Sequence, residues 1–290
     1  MTGSPRVAIV GTGRVAQAFG RLLADAGLAP VAVGGRTVDS AARAASFIDP
    51  GVTATSINRL ASLADHFLIA VSDDAIPAVA QELAEYGVSG HGVALHTSGA
   101  HGPQLLGPLA GRGLACGVLH PLQTVADPQR GVAALRGASY GVGGDTAAVE
   151  WAEQLVAAAA GTSLRIHDTG FASYHAGAVM AGNAVVAAID SAVALLGAAG
   201  IERGAALRAL RPLCLTSATN TFDIGPEAAL TGPVQRGDAE TIRSHAAALA
   251  QCPKYVADLY RASARALLDI ARRRGLAETS AMAVEEAIGR

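Results

Sequence analysis

Apolar residues are distributed along this chain in two ways, and the change falls near residue 166. Before it short strand-like segments fall at 7–10, 30–33, 67–71, 93–96, 114–119, 139–142 and 163–166. The continuous apolar run at 67–71 suits a parallel strand covered by helices on both faces. The segments between them carry the helical period instead. Ala16, Phe19, Leu22 and Leu23 stand three to four apart and stop at Ala26-Gly27, where glycine suits the position after a helix C-cap. The same reasoning predicts a short helix at 39–46, a short strand at 52–55, a helix continuing to Glu85 with Asp74 as its N-cap and Pro77 in its first turn, and a helix at 147–160. Beyond residue 166 only the helical pattern persists. Residues 171–196 read as one long helix rich in small residues, followed by helices at 205–221, 238–250 and 253–274 and a short terminal one. The pattern predicts an α/β sheet domain over residues 1–168 and an all-α domain over residues 169–290. No low-complexity linker separates them, so the two are expected to pack directly, with the active site in the cleft they enclose.

Candidate chemistry collects at the predicted strand ends. The first strand enters Gly11-Thr12-Gly13-Arg14-Val15-Ala16 and leaves as a helix. Gly11 allows the sharp turn, Gly13 lets backbone N–H groups approach a pyrophosphate, and small Ala16 lets the helix pack on the strand. Phosphates would rest on the helix N-terminus, with Gly11, Thr12, Gly13, Arg14 and Val15 as the cofactor loop. The second strand delivers Gly34-Gly35-Arg36-Thr37, where an NAD enzyme usually carries an acid for the adenine ribose. Arg36 and Thr37 offer a guanidinium fork and a hydroxyl instead, which match a 2′-phosphate and so point to NADP, with NAD the lesser expectation. Ser72 and Asp73 end the strand at 67–71, and Thr97 and Ser98 follow the strand at 93–96, at the edge where open α/β sheets bind ligands. Two strand ends also carry histidines, His96 and His120. Beside a nicotinamide either could serve as proton donor. For His96 a bond to a nearby carbonyl is the simpler expectation. His120 sits before Pro121-Leu122-Gln123-Thr124, which reads as a shaped loop, and fits either role.

Composition narrows the class. A chain of 290 residues has room for two cored domains. Its net charge of −2, with acidic residues scattered, argues against nucleic acid and anionic lipid as partners. Three cysteines fit a reducing cytoplasm and no disulfide framework. The first strand begins too early for a signal peptide to be expected. A membrane span is not expected either, because Asn183, Asp190 and Ser191 interrupt the most apolar stretch, 176–200. The expected partners are a small-molecule substrate and a second copy of the chain, since the Ala/Gly-rich long helix offers a smooth apolar surface that one small sheet domain would not cover.

The combination of the glycine loop, His120-Pro121-Leu122-Gln123-Thr124, Tyr174-His175 followed by Gly182-Asn183, Thr231-Gly232-Pro233-Val234-Gln235-Arg236-Gly237-Asp238 and Tyr260-Arg261-Ala262 carries a family resemblance. Over nearly its whole length the chain resembles a group of bacterial Rossmann-like oxidoreductases whose C-terminal half is a domain of unknown function. That group is similar to ketopantoate reductase, pyrroline-5-carboxylate reductase and the 6-phosphogluconate dehydrogenase-like enzymes. The resemblance implies an N-terminal Rossmann NAD(P)-binding domain and an all-α domain like the C-terminal domain of 6-phosphogluconate dehydrogenase, which commonly builds a dimer. It implies an oxidoreductase but no substrate.

One departure matters. In the hydroxyacid-dehydrogenase relatives a lysine four residues before an asparagine on the long helix donates the proton. Here Asn183 has Val179 at that spacing, and the only lysine, Lys254, lies on a later predicted helix. The acid is then sought in His120 or in His175, which stands eight residues before Asn183 and could share its helix face. His175 also fits a plain packing role. Alternatively the reaction needs no strong acid because it reduces an already protonated imine. In the loop before Asp238, glycine, proline and aspartate suit a turn and a helix cap. Thr231, Gln235 and Arg236 are not needed for that and could hold a polar or anionic substrate, Arg236 a carboxylate or phosphate. The leading expectation is NADP-dependent hydride transfer to or from a small carbonyl, hydroxyacid or imine. The alternative is an NADP-binding regulatory or sensor protein without turnover.

Overall fold

A computed structural model describes residues 5–88, 90–167 and 169–289. The chain divides into two compact units, Met1–Met180 and Ala181–Arg290. In the first, strands and helices alternate: β1 (Val7–Val10), α1 (Arg14–Asp25), β2 (Ala32–Gly35), α2 (Val38–Ile48), β3 (Thr53–Ser56), α3 (Ile57–Leu63), β4 (His66–Ile69), α4 (Ile76–Glu85), β5 (Val93–His96), α5 (Gly107–Ala110), β6 (Ala115–Pro121), α6 (Pro128–Leu135), β7 (Ser139–Gly144), α7 (Thr146–Ala158), β8 (Thr162–Arg165) and α8 (Phe171–Ala181). The sheet runs β3-β2-β1-β4-β5-β6-β7-β8, and every pairing is parallel except β6 with β7. This is the Rossmann arrangement, with the first strand central and the chain winding outward in both directions.

The uninterrupted apolar runs are explained by two layers of core. Ile9 and Leu68 join Phe19, Leu22 and Leu23 on one face. Ala8, Val10, Phe67 and Ile69 join Leu60, Ile76 and Leu83 on the other. Successive residues of a strand point to opposite faces, so a sheet buried on both sides leaves no position for a polar residue.

Local boundaries depart from expectation in instructive places. The second strand lies at Ala32–Gly35 and not at 30–33, because Ala32 to Gly34 pair with Ala8 to Val10 and Ala32 to Gly35 with Thr53 to Ser56. Asp74 does not cap α4. A 3₁₀ turn at Asp73–Ala75 precedes the helix, whose N-cap position is Ala75 with no side-chain bond. Pro77 in the first turn lacks an N–H, which removes one donor a cap would have to satisfy. The stretch His120-Pro121 is strand and not loop, since β6 continues to Pro121 by pairing with β7, His120 lying opposite Gly141. The expected domain boundary at 168/169 falls on Asp168, outside the described residues. The division into units follows α8, which packs on the sheet through buried Phe171.

The second unit contains α9 (Asn183–Ala198), α10 (Arg203–Ala229), α11 (Pro233–Arg236), α12 (Ala239–Leu249), α13 (Lys254–Arg273) and α14 (Glu278–Ile288). Its cores are small. Val234, Ile242, Ala264, Leu268, Val284 and Ile288 form one, and Leu249, Val256 and Ala257 another. The single helix expected at 171–196 is two, interrupted at Gly182 (φ −107°, ψ −73°). Glycine costs about 1 kcal/mol against alanine inside a helix, so the break falls where it is cheapest. By composition the stretch Phe171–Ala198, taken across this break, nevertheless contains an 18-residue window of mean hydropathy 1.9, apolar enough to cross a membrane, so its polar residues do not by themselves disqualify it. Asp190 is its only charged residue and does not offset the aliphatic content.

Candidate cofactor cleft and histidine cluster

The glycine loop joins β1 to α1 as expected. Gly11 has φ +122°, donates its N–H to Gly34 O at 2.8 Å, and has Ala70 O only 2.2 Å from where a Cβ would stand. A side chain there would meet both backbone strain and a carbonyl, so the sharp turn requires glycine. Gln17 braces the loop by donating from Nε2 to Thr12 O at 2.8 Å. Gly13 occupies the N-cap position of α1 with no side-chain bond, and no acidic residue lies in the first turn. Among the described residues the orphan N–H groups at the positive end of the helix dipole therefore have no side-chain cap and no acid in the first turn, which fits a phosphate.

A cavity of about 890 Å³ opens from this loop, within the size range of a cofactor site. Thr12, Gly13, Arg14, Val15, Arg36, Ser72, Asp73 and Thr97 line it, so most of the residues anticipated from the strand ends share one cleft. Arg36 is exposed and, among the described residues, makes no hydrogen bond or ion pair, leaving its guanidinium free for a ligand. Thr37 caps α2, its Oγ1 accepting from Ser40 N at 3.2 Å, and is not among the lining residues. Ser98 is buried behind the cleft, and its hydroxyl donates to Asp73 Oδ2 at 2.8 Å. It fixes a lining residue rather than lining the cavity itself. Ile57, Val79, Glu82 and Val125 also line the cleft. They were not anticipated, because they reach it from helix faces and a distant loop that carry no local motif.

His96 and His120 differ sharply in environment. His96 is fully buried, with Nδ1 accepting from Ser98 N at 3.2 Å and Nε2 donating to Gly102 O at 2.9 Å. Both nitrogens are satisfied in the neutral form, and burial lowers the pKa, so His96 holds the loop that follows β5. His120 has Nδ1 2.9 Å from the Tyr174 hydroxyl, and its ring stands edge-on to those of Tyr174 (centroids 5.5 Å) and His175 (5.8 Å). Thr97 lines the cavity while His120 does not, and Gly99, two residues on, lies against the imidazole face: a Cβ there would be 2.8 Å from Cδ2, Cε1 and Nε2. Burial, seconded by the nearby His175, pushes the His120 pKa down to about 4, while Asp73 acts in the opposite direction. His120 is neutral at neutral pH. His175 belongs to the first unit, beside His120, so the two histidines taken as candidate acids do come together. The role of Tyr174 was missed although Tyr174-His175 stood out as a motif, because its partner is 54 positions away.

Asn183 is the first residue of α9 and is exposed, in the second unit. The break at Gly182 removes the helical register that was to link it to His175. Gly232, Pro233 and Gly237 shape the turn around α11, and Asp238 caps α12, accepting from Thr241 N at 3.1 Å. Thr231 and Arg236 are exposed and Gln235 is half-buried. Lys254 is exposed and ion-paired with Asp258 one turn along α13.

Residues 3–121 match a Rossmann-like domain, and residues 138–267 match DUF2520, a domain of unknown function. The chain thus joins these two domains, and the second begins inside the sheet, at β7. No curated protein matches it. Its fold is that of several solved oxidoreductases. A crystal structure described as a candidate NADP oxidoreductase from Bacteroides fragilis aligns with TM-score 0.72 at 22% identity, covering 91% of this chain and 98% of that one. A reductive aminase from Aspergillus terreus, in complex with NADPH4, cyclohexanone and allyl amine, aligns with TM-score 0.62 at 18% identity, covering 99% and 100%. A pyrroline-5-carboxylate reductase from Coxiella burnetii aligns with TM-score 0.60 at 16% identity, covering 95% and 100%.

Proposed function

We propose that this Rossmann-like chain with its DUF2520 half is an NADP-dependent oxidoreductase acting on a small carbonyl, hydroxyacid or imine. The observation that carries the reading is the single cleft in which an uncapped helix N-terminus, an unpaired Arg36 and the ends of β4 and β5 meet. Thr12 to Val15 would hold the pyrophosphate and Arg36 the 2′-phosphate. NADPH-bound relatives of this fold support that choice of cofactor. When bound, the cofactor supplies or takes up the hydride. The chain's own part is to orient the substrate, exclude water and meet the charge that changes at the reacting atom.

His120 favours one substrate class within that range. With its pKa near 4 it has no imidazolium proton to give at neutral pH, so it is not a general acid there. An iminium nitrogen already carries its proton and needs no acid, whereas a ketone must acquire one. We therefore place imines ahead of ketones and hydroxyacids. Asn183 for substrate orientation and Thr231, Gln235 and Arg236 for substrate contact remain part of this proposal. The proposed partner is a second copy of the chain, since Val186, Leu213 and Phe222 are 69%, 63% and 87% exposed and would gain from burial.

Titration of nicotinamide fluorescence with NADPH, followed by assays over cyclic imines, 2-ketoacids and 2-hydroxyacids, tests the reading. NADPH is expected to bind tightly and to be oxidised by imines. Binding with no turnover on any of these would make the chain a sensor, and no binding at all would overturn the cofactor site.

A further inference from the structure

The geometry around His120 assigns a role to Tyr174: we infer that its phenol donates to Nδ1, fixing the ring proton on Nε2 and presenting that N–H to a lone pair of the substrate, a carbonyl oxygen or the amine nitrogen that hydride transfer to an iminium carbon frees. Tyr174 is then a positioning residue, acting through His120. The inference rests on the oxidoreductase reading for its purpose but not for its geometry.

The short contact is the Nδ1–hydroxyl pair at 2.9 Å, and the other acceptor in reach of the phenol, His120 O, lies at 3.4 Å, beyond a good hydrogen bond. Burial raises the pKa of Tyr174, so the phenol keeps its proton. A proton donated to Nδ1 makes that nitrogen the acceptor, and a neutral imidazole then has its one N–H at Nε2. Among the described residues Nε2 has no hydrogen-bond partner, and it is absent from the buried unpartnered atoms, so it opens toward solvent or ligand.

The surroundings hold this arrangement in place. Gly99 lies flat on the imidazole, where a Cβ would stand 2.8 Å from three ring atoms. Gly141, opposite His120 in the β6–β7 pairing, admits the phenol: a Cβ there would be 2.7 Å from its oxygen. His175 closes a further side, its ring edge-on at 5.8 Å. The titratable groups facing His120 are therefore Tyr174, His175, Asp73 and His96. A ring with the Gly99 backbone against its face and a phenol on Nδ1 has little room to rotate, so its tautomer decides what it can donate.

Long-range ¹H–¹⁵N correlation on the full chain with ¹⁵N-labelled histidine reads the tautomer directly. In the wild type His120 is expected as a single Nε2–H form, and Tyr174→Phe should convert it to a mixture of tautomers. NADPH affinity should stay within about threefold, because Tyr174 does not line the cofactor cavity. Where a substrate is in hand, kcat should fall roughly 10- to 100-fold with KM little changed, a fraction of the usual acid–base contribution. A wild-type His120 protonated at Nδ1 would overturn the inference even if the variant failed to fold. So would a Tyr174→Phe spectrum identical to wild type. Failure of the oxidoreductase reading shows separately, as absent NADPH binding with the Nε2–H tautomer intact.

Discussion

The sheet unit and the helical unit are both rich in apolar residues, yet they use them differently. In β1 and β4, Ile9, Phe67 and Leu68 have no exposed surface at all. In the helical unit, α9 exposes Val185 and Val186 and α10 exposes Leu213, Leu215 and Phe222. The difference follows from geometry. A parallel sheet offers two faces, and its crossover helices cover both as the chain folds. The helical unit has no such template, and its two small cores leave long helix faces exposed among the described residues. High apolar content therefore marks a finished core in one unit and, on our reading, an assembly surface in the other.

The largest expected effect lies in the sheet. Leu68→Ala should cost about 2–5 kcal/mol, the range for emptying a fully buried leucine site. Urea unfolding followed by the fluorescence of Trp151, the only tryptophan, would measure it. A cost under about 1 kcal/mol would mean the central strands are not the rigid frame described. Next in size, Arg36→Ala should weaken NADPH binding by about 1.5–3 kcal/mol while leaving NADH nearly unchanged. Equal losses for the two cofactors would remove the 2′-phosphate role.

Acid should separate the units further. Between the ordinary histidine value of about 6.5 and about 4, the unfolded chain binds a proton at the His120 position that the folded chain refuses. Stability of the sheet unit should thus fall as pH drops through that window, with buried His96 acting in the same direction. In the helical unit the capping carboxylates Glu202 and Asp238 have lowered pKa values, caused by hydrogen bonds from Gly204 and Ala205 and from Thr241. Their contribution persists until pH falls below the ordinary carboxylate range. Residue-resolved hydrogen exchange at pH 7 and pH 5 should show protection lost first in β5 and β6. Equal loss in α12 would contradict the contrast.

The smallest effect on folding is expected at the helical surface. Phe222→Ser should alter unfolding stability of the isolated chain by no more than about 0.5 kcal/mol, since the side chain is 87% exposed. It should nonetheless weaken self-association measured by light scattering. A wild-type chain that is monomeric at micromolar concentration would rule out the second copy as its partner.

Much of the first unit was legible because its signals are local. A strand buried on both faces must be apolar at every position, a tight βα turn must carry glycine at Gly11, and a helix must end where Gly27 can take φ +78°. Those constraints act over a few residues and leave their mark in the order of amino acids. The sequence therefore determined the Rossmann frame, the cofactor loop and the position of Arg36 at the end of β2. What only the tertiary structure decided depends on residues far apart in the chain. His120 extends a strand because β7 runs beside it, its neutral state comes from burial under Gly99 and beside His175, and its Nδ1 partner is a tyrosine on α8. Ser98 turned out to brace Asp73, and Thr37 to cap α2, because a hydroxyl reads the same in sequence whether it faces a ligand or a neighbouring backbone. Desolvation and hydrogen-bond partnership are sums over the whole surrounding shell, and no stretch of sequence contains that shell.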